Sequence, residues 1–199
     1  MSRDRDVAAF DRRAVGYEAG RLGQAHRIIV ERTADIALAA VPSPCRVLDV
    51  GCGTGMLLRS LAYRSPTAAC LLGVDPAPKM AAAAARVPGL DRRIGLFVGV
   101  AEALPFADGA FDLVVSTTSF DHWADQLRGL GECARVLGPG GRLVLADLFS
   151  PIRLPAMWLG RRGRARTVHT ATKALNVAGF RSLSWHHPAP LIRAVVATT

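Results

Sequence analysis

The chain has 199 residues, half of them hydrophobic, which is enough to bury one sizeable core in a single domain. Its four cysteines, Cys45, Cys52, Cys70 and Cys133, show no CxxC spacing and no adjacent histidine pairs, so no metal site or disulfide framework is expected and a reducing, cytoplasmic setting fits. The net charge of +9 sits almost wholly at the end of the chain, where eight basic residues and no acidic one follow Asp147; no stretch approaches the roughly 20 apolar residues of a membrane helix, and Met1 to Asp6 open no signal-peptide run.

In chain order, the first forty residues read as one or two helices, with Ile28, Ile29, Arg32, Ile36 and Ala40 at helical spacing. Short apolar runs then alternate with helical segments. Strands are predicted at 46–50, 70–75, 94–99, 111–117 and 141–147, each apolar enough to be buried on both faces. Helices are predicted at 55–63, 78–86 and 123–137. The last would show Leu127, Leu130, Ala134 and Leu137 on one face, with Asp121 capping its start and the turn Gly138-Pro139-Gly140-Gly141 closing it. Beyond Asp147 come a Pro- and Arg-rich stretch, a helix at 170–178, and strands at 181–186 and 191–197 joined by His187-Pro188-Ala189-Pro190 as an antiparallel hairpin. This alternation predicts an α/β fold with helices on both faces of a largely parallel sheet.

The strand Val47-Leu48-Asp49-Val50 runs directly into Gly51-x-Gly53-x-Gly55 and a helix, a loop whose glycines let backbone approach a ligand closely. The third glycine comes one residue earlier than in dinucleotide oxidoreductases, and Met56 stands where that glycine would fall. Asp49 would repel a pyrophosphate but favour an ammonium and a sulfonium, which S-adenosylmethionine (SAM) carries without any phosphate. Asp75 ends the next strand, where a carboxylate accepts from ribose hydroxyls or caps the helix that starts near Pro78.

The segments VLDVGCGTG (47–55), GVDPAPKM (73–80), AEALPFADGAFDLVV (101–115) and ECARVLGPGGRLVLAD (132–147) resemble the successive motifs of class I SAM-dependent methyltransferases, especially the group containing the ubiquinone/menaquinone-biosynthesis C-methyltransferases. The resemblance implies a Rossmann-like, doubly wound seven-stranded sheet in the order 3-2-1-4-5-7-6 with strand 7 antiparallel. It also implies one domain: a helical lid (1–44), a SAM-binding core (45–147) and a substrate-side segment (148–199). On its terms Gly51, Gly53 and Gly55 surround the methionine part of SAM, Asp75 holds the ribose, Ala101 and Glu102 lie along the adenine, and Cys52, Pro76, Met80 and Val100 also belong to the cofactor site. Val100 stands where many relatives have Asp or Asn, so the adenine contact falls to backbone or to Glu102, which otherwise is a solvated loop carboxylate. Tyr17 belongs to the lid or else anchors a surface helix.

Methyl transfer from a sulfonium has an excellent leaving group, so positioning and desolvation supply most of the acceleration. His122, after the fourth strand, is the candidate base, with Thr117 beside the cofactor; alternatively His122 lines the pocket or joins the next helix, with Trp123 in the core. His169, His186 and His187 read as structural or exposed. Leu154, Met157, Trp158 and Leu159, followed by Arg161, Arg162, Arg164 and Arg166, suit an apolar acceptor with an acidic feature or an anionic surface. The leading expectation is therefore a methyltransferase acting on a small apolar or aromatic acceptor. The alternatives are an RNA methyltransferase using the basic tail as a phosphate track and a non-catalytic SAM-binding protein.

Overall fold

A computed structural model describes residues 2–149 and 167–199. Two N-terminal helices, α1 (Ser2–Arg13) and α2 (Gly20–Ala40), precede β1 (Arg46–Val50), α3 (Met56–Arg64), β2 (Cys70–Asp75), α4 (Pro78–Ala85), β3 (Ile94–Val98) and β4 (Phe111–Thr117). Then follow α5 (Gln126–Val136), β5 (Leu137–Asp147), α6 (Val168–Val177), β6 (Ser182–Ala189) and β7 (Ile192–Thr198). The strands form one seven-stranded sheet in the order β3-β2-β1-β4-β5-β7-β6, with β7 antiparallel to both neighbours. This is the expected Rossmann-like architecture.

Strand alternation sends successive side chains into two different cores. Leu48, Val114, Leu143 and Leu145 pack with Leu130, Cys133, Val136, Ala171 and Leu175 under α5 and α6. Val47, Leu113, Val115 and Val144 face the other way, onto Val30, Ala34 and Ala37 of α2 and Leu58 and Leu61 of α3. The central strands are thus buried on both sides, as their continuous apolar runs predict. β3 is the exception: it is an edge strand, and Phe97 and Val98 are exposed.

Several local expectations are corrected. α5 starts at Gln126, because Phe120–His122 forms a 3-10 turn and Trp123 is extended (φ −66, ψ 133). Its N-cap is consequently Asp125, whose carboxylate accepts from the Arg128 N–H, and not Asp121. The buried face of α5 carries Gln126, Gly129, Leu130, Cys133 and Val136, leaving Leu127 exposed. On α2 the buried stripe is Val30, Thr33, Ala34 and Ala37, while Ile28 points to solvent. The Gly-Pro-Gly-Gly segment is the irregular start of β5: Leu137 already pairs with Phe111, and a Cβ on Gly138 would stand 3.1 Å from the Gly109 carbonyl oxygen. β6 runs on to Ala189 with a register shift after His186, so the hairpin turns at Pro190-Leu191, with Leu191 at φ +66.

Thr167 caps α6 through a reciprocal capping box with Thr170. Among the described residues, no helix is long and apolar enough to cross a membrane. The apolar and arginine-rich segment expected to meet the acceptor, Leu154 to Arg166, lies outside the described residues.

Candidate functional site

The carboxyl ends of β1, β2 and β4 open into a cleft, the position where ligands bind in open α/β sheets. Its floor comes from the β1–α3 loop. There the Gly51 and Cys52 N–H groups both donate to the Val74 carbonyl, at 2.7 and 3.1 Å, tying the loop to β2. Gly51 (φ +77) has no room for a side chain: a Cβ would lie 1.8 Å from Ser119 Oγ. Gly55 (φ +75) ends the loop as the left-handed cap of α3.

Two buried carboxylates flank this loop. Asp75 Oδ2 accepts from the Gly53 N–H and Oδ1 from the Ala77 N–H, each at 2.8 Å, so the residue positions the glycine loop and the start of α4 together. Each oxygen keeps a lone pair for a further donor. Asp49 is 2% exposed, and burial together with the neighbouring Asp75 pushes its pKa up to about 8. Burial also raises Asp75, against the two backbone donors that hold it down.

The roof is N-terminal. Asp11 Oδ1 accepts from the Lys79 N–H at the start of α4, and Ala14 packs on Ala77 and Met80, fastening the end of α1 over the β2 side. Phe10 meets Tyr17 and His122 edge-on, with centroids 6.3 and 5.0 Å apart, and Asp6 Oδ2 lies 3.6 Å from His122 Nδ1. Glu18 then locks the lid to α3 through a two-pronged bond to Arg59.

Tyr17, Asp49, Gly51, Cys52, Gly53, Asp75, Pro76, Met80, Thr117 and His122 all line this one cleft. Val100, Ala101 and Glu102 are not among its lining residues. Val100 forms an isolated bridge with Ala103, Ala101 is buried, and Glu102 Oε1 accepts from the Asp125 N–H at 3.0 Å, anchoring the start of α5. Glu102 is buried, unlike a solvated loop carboxylate.

Three contributors escaped sequence reasoning. His26 of α2 lines the cleft, and its Nε2 is 2.9 Å from Thr118 Oγ1. Thr118 itself has a left-handed backbone (φ +52), uncommon for a β-branched residue. Asp147, buried at the end of β5, accepts from the Asp121 and Leu148 N–H groups and so shapes the turn that presents His122. A helical histidine among polar neighbours carries no motif, and only the packing of α2 across β4 reveals it.

Similarity to known proteins agrees with this geometry. Residues 48–145 match the family described as a methyltransferase domain. Over 190 residues the chain is 38% identical to the malonyl-[acyl-carrier protein] O-methyltransferase of Geobacter sulfurreducens, covering 88% of this chain and 69% of that protein. It is 44% identical over 123 residues to the demethylmenaquinone methyltransferase of Thermus thermophilus, covering 60% of this chain and only 54% of the relative's length. A SAM-dependent methyltransferase from Aquifex aeolicus superposes with a TM-score of 0.74 at 17% identity, covering 96% of this chain and 97% of the other, which shows the shared fold. The chain belongs to the class I SAM-dependent methyltransferases, an enzyme family whose cofactor is S-adenosylmethionine.

Proposed function

We propose that this chain transfers a methyl group from SAM to a small, apolar or aromatic acceptor. One observation carries the reading: two buried carboxylates, Asp49 and Asp75, flank a glycine loop with no space for a Cβ at Gly51. Such a floor attracts a ligand bearing positive charge and hydroxyl donors, and it repels phosphate. Gly51, Cys52, Gly53 and Gly55 would hold the methionine part, assisted by Asp49 and Thr117. Asp75, Pro76 and Met80 would hold the ribose, with Tyr17 as the lid wall. Val100, Ala101 and Glu102 would border the adenine, Glu102 mainly by holding the α5 start. SAM supplies an electrophilic methyl group when bound.

The protein's own contribution is orientation and exclusion of water. Val7, Phe10, Val30, Met56 and Leu57 give the cleft an apolar wall on which the body of an acceptor would rest. His122, under Phe10 at the mouth, is in place to line the acceptor site. The relatives' printed names point to acceptors of the quinone or carrier-linked acyl kind, both compatible with such a wall. Acidic groups around the cleft disfavour nucleic acid as substrate. Four unpaired cysteines support a cytoplasmic location.

Calorimetry with SAM and S-adenosylhomocysteine tests the reading. Both should bind, Asp75→Ala should abolish binding, and His122→Ala should keep it while lowering turnover. No heat of binding at about 1 mM SAM, the upper end of ordinary substrate constants, overturns the proposal.

A further inference from the structure

Among the described residues, three buried polar atoms of the cleft have no hydrogen-bond partner: Thr54 Oγ1, next to Gly53, and the pair His26 Nδ1 and Thr117 Oγ1. Both residues of the pair line the cleft, and they are linked through Thr118. Leaving such atoms unpaired is costly, so they mark a place where a ligand would supply the missing bonds.

The tautomer of His26 follows from its neighbour. Thr118 has one hydroxyl proton, and its Oγ1 donates to the Thr117 carbonyl at 2.8 Å. With the hydroxyl proton directed there, that oxygen meets His26 Nε2 as an acceptor, so the tautomer assigned is the one with the ring proton on Nε2 and a lone pair on Nδ1. Burial disfavours the imidazolium form, opposed by Glu18, so the ring is held neutral. The edge of the Tyr17 ring contact, 5.4 Å between centroids at 87°, fixes its orientation from the other side. Thr118 is kept in its left-handed conformation between this bond and the Thr118 N–H to Ala146 carbonyl bond of 2.8 Å. Strain of this kind persists where the surroundings over-determine it and clusters at functional sites.

We infer that His26 forms the polar end of the acceptor site and takes the proton of a hydroxyl-bearing acceptor. The inference rests on the methyltransferase reading above and assigns His122 chiefly to holding the lid through Phe10 and Asp6. Nδ1 removes the hydroxyl proton while an oxygen electron pair forms the new O–C bond. The electrons of the broken S–C bond remain on sulfur, and the positive charge passes to the imidazolium. Glu18 then stabilises that charge. The other titratable groups around the ring are Tyr17 beside it, Arg27 at 3.9 Å from Glu18, and Asp49 and His122 in the same cleft. Val30, one turn along α2, and Leu57 offer the apolar surface for an aromatic body.

Imidazole nitrogen spectra of the 15N-labelled full chain, with S-adenosylhomocysteine and then phenol added as a probe, test this. The expected result is an Nε2–H tautomer that stays neutral well below the ordinary midpoint of about 6.5, with phenol moving the Nδ1 resonance and leaving Nε2 in place. His26→Gln should weaken phenol binding about fivefold, the worth of one neutral hydrogen bond, with S-adenosylhomocysteine affinity within about twofold of the parent. An Nδ1–H tautomer, an unmoved Nδ1 resonance, or equal loss of both ligands in His26→Gln overturns the inference and leaves the methyltransferase reading standing. Absence of S-adenosylhomocysteine binding to the parent chain overturns both.

Discussion

The two halves of the cleft are built in opposite ways. The floor comes from one short stretch, Asp49 to Gly55, and one strand end, Asp75, held by backbone bonds to the adjacent parallel strand and by the Asp75 carboxylate accepting from the Gly53 N–H. The mouth gathers α1, α2 and the β4–α5 turn, joined by side-chain contacts between residues far apart in sequence, such as His26 with Thr118 and Phe10 with His122. A backbone-held floor fixes which cofactor is bound and tolerates almost no substitution. A side-chain mouth can be rebuilt residue by residue to receive different acceptors, which is how one fold hosts many reactions.

The largest effect that would sharpen this contrast is expected at Gly51. Gly51→Ala places a methyl group 1.8 Å from Ser119 Oγ at φ +77, and SAM affinity should fall by more than about a hundredfold. Calorimetry alongside a thermal midpoint separates a lost site from a lost fold. Phe10→Ala at the mouth should leave SAM binding far less affected; a comparable loss would erase the distinction between the halves.

A smaller, pH-dependent effect concerns Asp49. Its folded pKa of about 8 lies above the ordinary carboxylate value, so the ligand-free protein holds a proton that the unfolded chain has lost. Stability from this group is thus full at low pH and declines as pH rises from about 4 to about 8. A cationic ligand prefers the ionised form, so SAM affinity should rise by up to about tenfold per pH unit below pH 8 and level off above it. Asp49→Asn should flatten that profile. Calorimetry in buffers of different ionisation enthalpy should also detect proton release on binding.

The smallest effect is expected at Glu102, which joins the floor to the mouth by holding the Asp125 N–H. Glu102→Ala should lower stability by about 1 kcal/mol and change SAM affinity within about twofold. A tenfold weaker SAM complex at unchanged stability would instead make Glu102 a direct ligand.

Asp49, Gly51, Gly53, Gly55 and Asp75 were legible because a strand, a tight turn and a helix are local objects whose requirements appear at fixed spacing. The same locality made the central parallel strands β1, β2, β4 and β5 readable, since continuous apolar runs mark strands buried on both faces. Boundaries set by long-range packing were not readable. α5 starts at Gln126 because the Trp123 ring occupies the space beside Gly129, where a Cβ would lie 2.5 Å from it, and Trp123 Nε1 reaches Ser119 Oγ at 3.1 Å. Sequence alone thus determined the fold, the cofactor family and the glycine floor of the cleft. Only the tertiary structure decided that Glu102 braces a helix and that His26 meets Thr118, because both depend on where α2 and α5 come to rest against a finished sheet.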